Sequence, residues 1–132
     1  MRQIPVGAKG TYSLVVTPAH LANQFKDAAL PRVFATPMMV TAMENAALNA
    51  VRDYLDPGES AVGTLVNIRH FAATPAGHRI TADAEVTKVD GRRIEFKVSA
   101  RDEIEPIGEG THERLVVDMN RLDQRLKVKA RP

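Results

Sequence analysis

The 132-residue sequence has no cysteine and no tryptophan, and only 5% of its residues are aromatic. Without cysteine it can form neither a disulfide nor a thiolate metal site, so the cytoplasm is the expected location. The scarcity of aromatic rings argues against a surface on which nucleic-acid bases stack. No apolar run approaches the roughly 20 residues that span a bilayer, and the N-terminus lacks the apolar core of a signal peptide. We therefore expect neither nucleic acid nor a membrane as a partner.

The composition that is present is typical of a soluble globular protein, with 44% hydrophobic and 26% charged residues and a net charge of +2. The length predicts one domain over residues 1–132. A basic tail, residues 121–132, holds five Arg or Lys and one Asp. Such a tail attracts phosphate-bearing ligands or is simply a solvated terminus, and the second interpretation is favoured for the tail taken alone.

Hydrophobic periodicity predicts one strand, one long helix and then four strands. Alternation over residues 10–17 indicates the first strand, and residues 18–35 are expected to form a loop or lid with one short helical turn. The helix is predicted over residues 38–54, and Asp90-Gly91 indicates a hairpin turn. The four later strands are expected in antiparallel succession, within residues 62–72, 79–89, 94–98 and 110–118.

This order predicts an α+β protein with the hot-dog fold, a five-stranded antiparallel sheet wrapped around one central helix. A single layer of this kind leaves an open sheet edge and a limited core. We therefore expect the chain to associate at least as a homodimer.

Glu44 lies in the apolar sector of the predicted helix, between Val40 and Leu48. A carboxylate there is costly to desolvate unless it is hydrogen-bonded, and its pKa is expected to rise. The alternative is a glutamate at the edge of the apolar stripe that reaches water or contacts Thr41. We favour a functional carboxylate because the flanking positions are apolar.

Thr36 precedes Pro37, and this pair is typical of a helix start with threonine as the N-cap. Its hydroxyl either caps the helix only or also lies beside free backbone N–H groups that would stabilise an oxyanion.

His70 is predicted to point inward, because it shares strand parity with Val66 and Ile68. A lone inward histidine is more often a core residue than a catalyst, but Gly63 on the same strand allows a close approach by a ligand. The other candidates are His20, His78 and His112. No histidine pair has metal-ligand spacing, so no metal is expected.

Short blocks of residues along positions 5–125 follow one another in the order of a known family. They are Val33-Phe34-Ala35-Thr36, Met43-Glu44, Tyr54-Leu55-Asp56-Pro57-Gly58-Glu59, Gly63-Thr64, His70, Ala72-Ala73-Thr74-Pro75-Ala76-Gly77, Asp90-Gly91-Arg92-Arg93, Val98-Ser99-Ala100 and Ile107-Gly108-Glu109-Gly110-Thr111-His112-Glu113-Arg114. In these blocks the chain resembles the fluoroacetyl-CoA thioesterases, a family of dimeric hot-dog enzymes with active sites at the dimer interface.

The resemblance implies a catalytic set of Thr36, Glu44 and His70, with Gly63 near the thioester and Arg114 associated with the ligand. In the family, the threonine and glutamate are implicated in acyl transfer or water activation, and the histidine in the hydrogen-bond network of the site.

The chain departs from the family at the aromatic gate that precedes the threonine, where Leu30 stands in place of the expected ring. We therefore predict a short or medium acyl group other than fluoroacetyl as the substrate, with Leu30 and Phe34 among the substrate-binding residues.

The predicted function is hydrolysis of an acyl-CoA thioester to a free acid and CoA. Coenzyme A enters only as part of the substrate, and no other cofactor is expected. One alternative is an enoyl-thioester hydratase, which normally needs an Asp–His pair; no Asp-x-x-x-x-His arrangement occurs here. The other is a non-catalytic module that binds acyl-CoA or a small metabolite. Direct attack by water and a covalent acyl-enzyme both remain open.

Overall fold

The predicted α+β hot-dog arrangement is confirmed by a sheet of five strands packed against one long helix. The computed structural model describes residues 1–132. The strands are β1 (Lys9–Val15), β2 (Glu59–His70), β3 (Arg79–Asp90), β4 (Arg93–Arg101) and β5 (Pro106–Asp118). The helices are α1 (Ala22–Phe25), α2 (Thr36–Val51) and α3 (Met119–Lys129), with short 3-10 turns at Pro18–His20 and Arg52–Tyr54.

In space the strands run in the order β1-β3-β4-β5-β2, and every neighbouring pair is antiparallel. The predicted succession of the last four strands is wrong at one step, because β2 pairs with β5 and not with β3. Residues 71–78 carry the chain across the sheet to β3, whereas the tight turn at Gly91, with a φ of 60°, joins β3 directly to β4. The two edge strands are therefore β1 and β2.

The long helix α2 packs chiefly over β1 and β3. At Gly10 of β1 an added methyl group would collide with the backbone of Ala46 and Ala50, so helix and strand approach each other without intervening side chains. Because α2 lies toward this side of the sheet, it covers β5 and β2 less completely. Small residues predominate on its buried side, which consists of Met39, Ala42, Met43, Ala46, Ala47, Ala50 and Val51.

Strand β2 contains an irregularity, a register shift between Gly63 and Leu65. One extra residue at such a bulge reverses the alternation of side chains along a strand. Val62 consequently lies on the outer side of the sheet and is 37% exposed, although the sequence pattern groups it with Val66 and Ile68.

The basic tail forms a helix that the sequence pattern did not predict. In α3 the Asp118 side chain accepts a hydrogen bond from the Arg121 N–H at 3.0 Å, which caps the helix start. No side chain of α3 is buried. The periodic apolar stripe from which helices are predicted is therefore weak here.

Candidate active site

The hydroxyl of Thr36 and the imidazole of His70 form the first part of the site. Thr36 is the first residue of α2, and its Oγ1 lies 2.8 Å from Nδ1 of His70. The prediction that Thr36 caps the helix is wrong, because the N-cap is Ala35 and no side chain caps this end. The hydroxyl is instead directed across to the end of β2. We call these two residues the hydroxyl–imidazole pair.

His70 is half-buried, and its other ring nitrogen, Nε2, has no hydrogen-bond partner. Burial lowers the pKa of His70, while the backbone of Ala72 opposes this effect to a smaller extent. At neutral pH the ring is therefore neutral.

A largely apolar cavity of about 390 Å³ opens beside the hydroxyl–imidazole pair. Both members of the pair line it, together with Leu30, Phe34 and Phe71. Phe34 is 1% exposed and belongs to the core, whereas Leu30 is 36% exposed at the rim. Four of the predicted site residues, Leu30, Phe34, Thr36 and His70, thus share one cavity.

Two buried polar residues that the sequence reasoning missed hold the wall of this cavity. The Thr74 carbonyl accepts a hydrogen bond from the Phe34 N–H at 2.8 Å, and the Thr74 hydroxyl donates to Asp102 Oδ2 at 2.7 Å. Asp102 Oδ1 also accepts from the N–H groups of Ile104 and Glu105. Burial alone would raise the pKa of Asp102, but these hydrogen bonds outweigh it and the pKa is lowered. An aspartate that bonds N–H groups two and three residues on is a recognisable turn signal, and it could have been read from the sequence.

A second group of residues, Glu44, Gly63, His112 and Arg114, lies further along α2 and β2, and we call it the carboxylate cluster. Glu44 Oε2 is 3.6 Å from Arg114 Nη1. A methyl group added at Gly63 would lie 2.5 Å from Glu44 Oε2, so the carboxylate occupies the space that this glycine leaves open. The Glu44 side chain is 38% exposed, and the burial expected from the helix pattern is therefore only partial.

The alternative contact of Glu44 with Thr41 is absent, since the Thr41 hydroxyl donates to the Pro37 carbonyl at 3.0 Å. Arg114 and His112 point inward from β5 and are 7% and 2% exposed. Sequence reasoning kept His112 only as a competitor to His70, because buried positions on a strand are usually recognised by apolar residues.

The two parts of the site do not meet within one chain. Glu44 follows Thr36 by eight residues on α2, which corresponds to about 12 Å along the helix axis. The cavity beside Thr36 and His70 is lined by neither Glu44, Gly63 nor Arg114. The predicted catalytic set is thus brought together only in part.

No cluster of three or more His, Cys, Asp or Glu side chains could hold a metal ion. None of the helices combines the length and the apolar character that a bilayer crossing requires.

The fold and a solved relative place this protein in the class of the hot-dog thioesterases. A solved thioesterase-superfamily protein of Thermus thermophilus superposes with a TM-score of 0.90 at 31% identity, covering 98% of this chain and 97% of its own. The prediction that this protein is a thioester hydrolase is thereby confirmed.

Residues 16–120 match the family model of the fluoroacetyl-CoA-specific thioesterases, and the chain belongs to that family. It is 41% identical to the fluoroacetyl-CoA thioesterase of Streptantibioticus cattleyicolor over 129 residues, covering 94% of this chain and 93% of the relative. The structure of a fluoroacetyl-CoA thioesterase variant in complex with acetyl-CoA has a TM-score of 0.92 at 38% identity, covering 96% of this chain and 99% of that one.

Proposed function

We propose that this protein hydrolyses the thioester of a short or medium acyl-CoA. Water adds to the acyl carbon, the carbon–sulfur bond breaks, and the products are the free acid and the thiol of CoA. The observation that carries the proposal is the 2.8 Å contact of Thr36 Oγ1 with His70 Nδ1 at the start of a helix and beside an apolar cavity.

Thr36 and His70 suit this chemistry because of their protonation states. In the neutral ring, a proton on Nε2 leaves Nδ1 free to accept the Thr36 hydroxyl proton across the 2.8 Å contact. A hydroxyl bonded to a neutral imidazole is the arrangement of an activated nucleophile. Pro37 has no N–H, and the N–H groups of Met38 and Met39 donate to the Ala35 carbonyl, so the Thr36 N–H is the group at this helix start that is available to stabilise the negative charge on the thioester oxygen.

The pKa of His70 also sets the expected pH dependence of the reaction. Because burial lowers this pKa, the ring stays neutral, and able to accept a proton, to a pH below its usual 6.5. Activity is therefore expected to fall only when the pH drops through that lowered pKa.

We further propose that Glu44 of the partner subunit completes the site in a homodimer. β2 is an edge strand, and its apolar side chains Val62, Leu65 and Val66 are 37%, 48% and 43% exposed. Exposed apolar edge strands pair readily with a second chain. An antiparallel pairing of two β2 strands about a point midway between residues 63 and 70 would put His70 opposite the partner's Gly63, beside the partner's Glu44.

The acyl group is expected to be small and apolar. The cavity beside the pair is about 390 Å³ and has mainly apolar walls. Leu30 offers an aliphatic contact at the rim where the family has an aromatic ring. The relative solved with acetyl-CoA supports a CoA thioester as the ligand class.

Two routes use the same residues. In one, Thr36 attacks the thioester, CoA leaves, and Glu44 of the partner subunit activates the water that hydrolyses the acyl-enzyme. In the other, the carboxylate activates water for direct attack, and Thr36 and His70 orient the carbonyl. Mass spectrometry of Glu44→Gln and His70→Ala incubated with substrate separates them, because an adduct on Thr36 forms only in the first route.

Mixing two inactive variants tests the shared site. Glu44→Gln and His70→Ala are each expected to lose turnover in a thiol-release assay over a panel of acyl-CoAs. Each mixed dimer would contain one intact site, so random exchange of subunits should restore about a quarter of the wild-type rate. Thr36→Ala mixed with His70→Ala is the matched control, since both residues come from the same chain and no site is restored.

Absence of any recovery in the first mixture would contradict the shared site, and unchanged turnover in Glu44→Gln would remove Glu44 from the mechanism. Tight acyl-CoA binding without thiol release in the wild type would support a binding module instead.

A further inference from the structure

His112 has no place in the reaction described so far, although it lies at the centre of the carboxylate cluster. It is 2% exposed and stacks on Phe96, with ring centroids 5.8 Å apart and an interplanar angle of 27°. Its Nδ1 lies 2.8 Å from the Leu65 carbonyl, and its Nε2 lies 3.2 Å from Arg114 Nη1. Both ring nitrogens are therefore engaged inside the protein.

These two partners select a single form of the ring. A carbonyl oxygen only accepts, so Nδ1 must carry the proton that is donated to Leu65. A guanidinium only donates, so Nε2 must be unprotonated and accept from Arg114. Burial lowers the pKa of His112, and Arg114 lowers it further against the opposing effects of the Leu65 backbone, Glu44 and Glu113. All of these observations describe a neutral His112.

Arg114 links His112 to Glu44 through its guanidinium group. Its Nη2 donates to the Ala61 carbonyl, while Nη1 lies near both His112 Nε2 and the Glu44 side chain. Nη1 also lies 3.4 Å from the Glu44 backbone carbonyl. The guanidinium is therefore fixed at both ends, and one N–H-bearing atom faces the carboxylate of Glu44.

The same two side chains hold β2 on either side of its bulge. Arg114 binds the Ala61 carbonyl and His112 binds the Leu65 carbonyl, and the register shift lies between Gly63 and Leu65. Gly63, which gives the Glu44 carboxylate its space, is thus fixed between two anchored points.

We propose that His112 is a positioning residue, which as a neutral acceptor holds Arg114 against Glu44 and so sets the place of the catalytic carboxylate. This inference rests on the proposed use of Glu44 in the reaction. It gives Arg114 a role in orienting the carboxylate, in addition to its predicted association with the ligand.

Two substitutions separate the acceptor function of His112 Nε2 from the donor function of His112 Nδ1. His112→Gln keeps an acceptor at the distance of Nε2, whereas His112→Asn keeps a donor at the distance of Nδ1 and leaves Arg114 without its acceptor. We expect kcat to fall at least tenfold in His112→Asn, since a misplacement of about 1 Å can cost about 10²-fold. KM should change less than threefold, and His112→Gln should recover most of kcat. The control His78→Asn, a histidine outside the cluster, should resemble the wild type.

The reverse order, with His112→Asn active and His112→Gln impaired, would overturn the proposal, because anchoring of the bulge would then be the whole role of the ring. Equal kcat values in the wild type and both variants would overturn it as well. Glu44→Gln is measured alongside. If it turns over normally, the proposed function fails at Glu44; if it is impaired while both His112 variants are normal, only the positioning role fails.

The wild-type protein provides a measurement that does not depend on how the variants fold. The ¹⁵N chemical shifts of the imidazole nitrogens at neutral pH report the tautomer of each histidine. For His112 we expect a protonated Nδ1 and an unprotonated Nε2. A proton on Nε2, in either the other tautomer or an imidazolium, would remove the acceptor for Arg114 and contradict the proposal.

Discussion

The two ends of β2 carry two different kinds of polar site. At the His70 end, the hydroxyl–imidazole pair is held by one 2.8 Å hydrogen bond and opens on an apolar cavity. At the Gly63 end, His112 and Arg114 of the carboxylate cluster are buried and have multiple partners within the chain. The first region has the accessibility that a substrate requires. The second has the fixed geometry that holds a charged group in place.

The difference in burial between the two ends indicates how β2 carries both reactive groups and supporting groups. Reactive groups need to remain accessible, so their contacts add little to folding. Supporting groups are buried and must be hydrogen-bonded, because unpaired buried polar groups are costly. Substitutions at the two ends should therefore separate activity from stability.

The largest effect is expected from Thr36→Ala at the accessible end. Loss of the hydroxyl should lower kcat by about 10²–10⁴-fold, the range typical of a positioned proton-transfer partner. The free energy of unfolding should change by less than about 0.5 kcal/mol, because the side chain is exposed. Thiol release and urea unfolding measure the two quantities. Thr41→Ala, five residues further along α2, is the matched control and should remain active.

The next largest effect is expected from Arg114→Met in the carboxylate cluster. The Ala61 carbonyl and His112 Nε2 would lose their donor while remaining buried, so the free energy of unfolding should fall by about 1–3 kcal/mol. Activity should fall too, since Glu44 loses its contact. For comparison, Arg93→Met removes an exposed arginine 3.8 Å from Glu113 and should cost at most about 1 kcal/mol. Equal free energies of unfolding for Arg114→Met and Arg93→Met in urea would contradict the conclusion that the buried groups at the Gly63 end stabilise the fold.

The smallest of the three effects is expected from Gly63→Ala. The added methyl group would lie 2.5 Å from Glu44 Oε2, the end of a flexible side chain that can rotate away. We therefore expect kcat to fall about tenfold, less than the 10²-fold that a 1 Å misplacement can cause, with the thermal midpoint nearly unchanged. Gly110→Ala provides the contrast, because its methyl group would meet the β2 backbone and should lower stability. An unaltered kcat in Gly63→Ala would mean that the position of Glu44 does not limit the reaction.

Local patterns predicted the helices and strands wherever apolar residues alternate or recur. The alternation of Ile80, Ala82, Ala84 and Val86 correctly identified the buried side of β3. It failed on β5, where His112 and Arg114 occupy inward positions and have no apolar signal. It also failed on α3, which buries no side chain.

The candidate residues were predicted from residue type and neighbours, but their contacts were not. Thr36 carries the signal of an N-cap, yet its hydroxyl binds His70 from a strand that follows much later in the chain. Glu44 was predicted to belong to one catalytic set with Thr36, although eight residues of helix separate the two and their side chains do not share a cavity within one chain.

The sequence by itself determined the hot-dog order of elements, the apolar and polar sides of α2, and which side chains are able to perform acyl-transfer chemistry. These are local properties, set by the periods of helix and strand. Only the tertiary structure decided that β2 lies beside β5, that a bulge turns Val62 outward, and that His112 and Arg114 hold Glu44. Those features depend on contacts between residues far apart in the chain, which local periodicity does not specify.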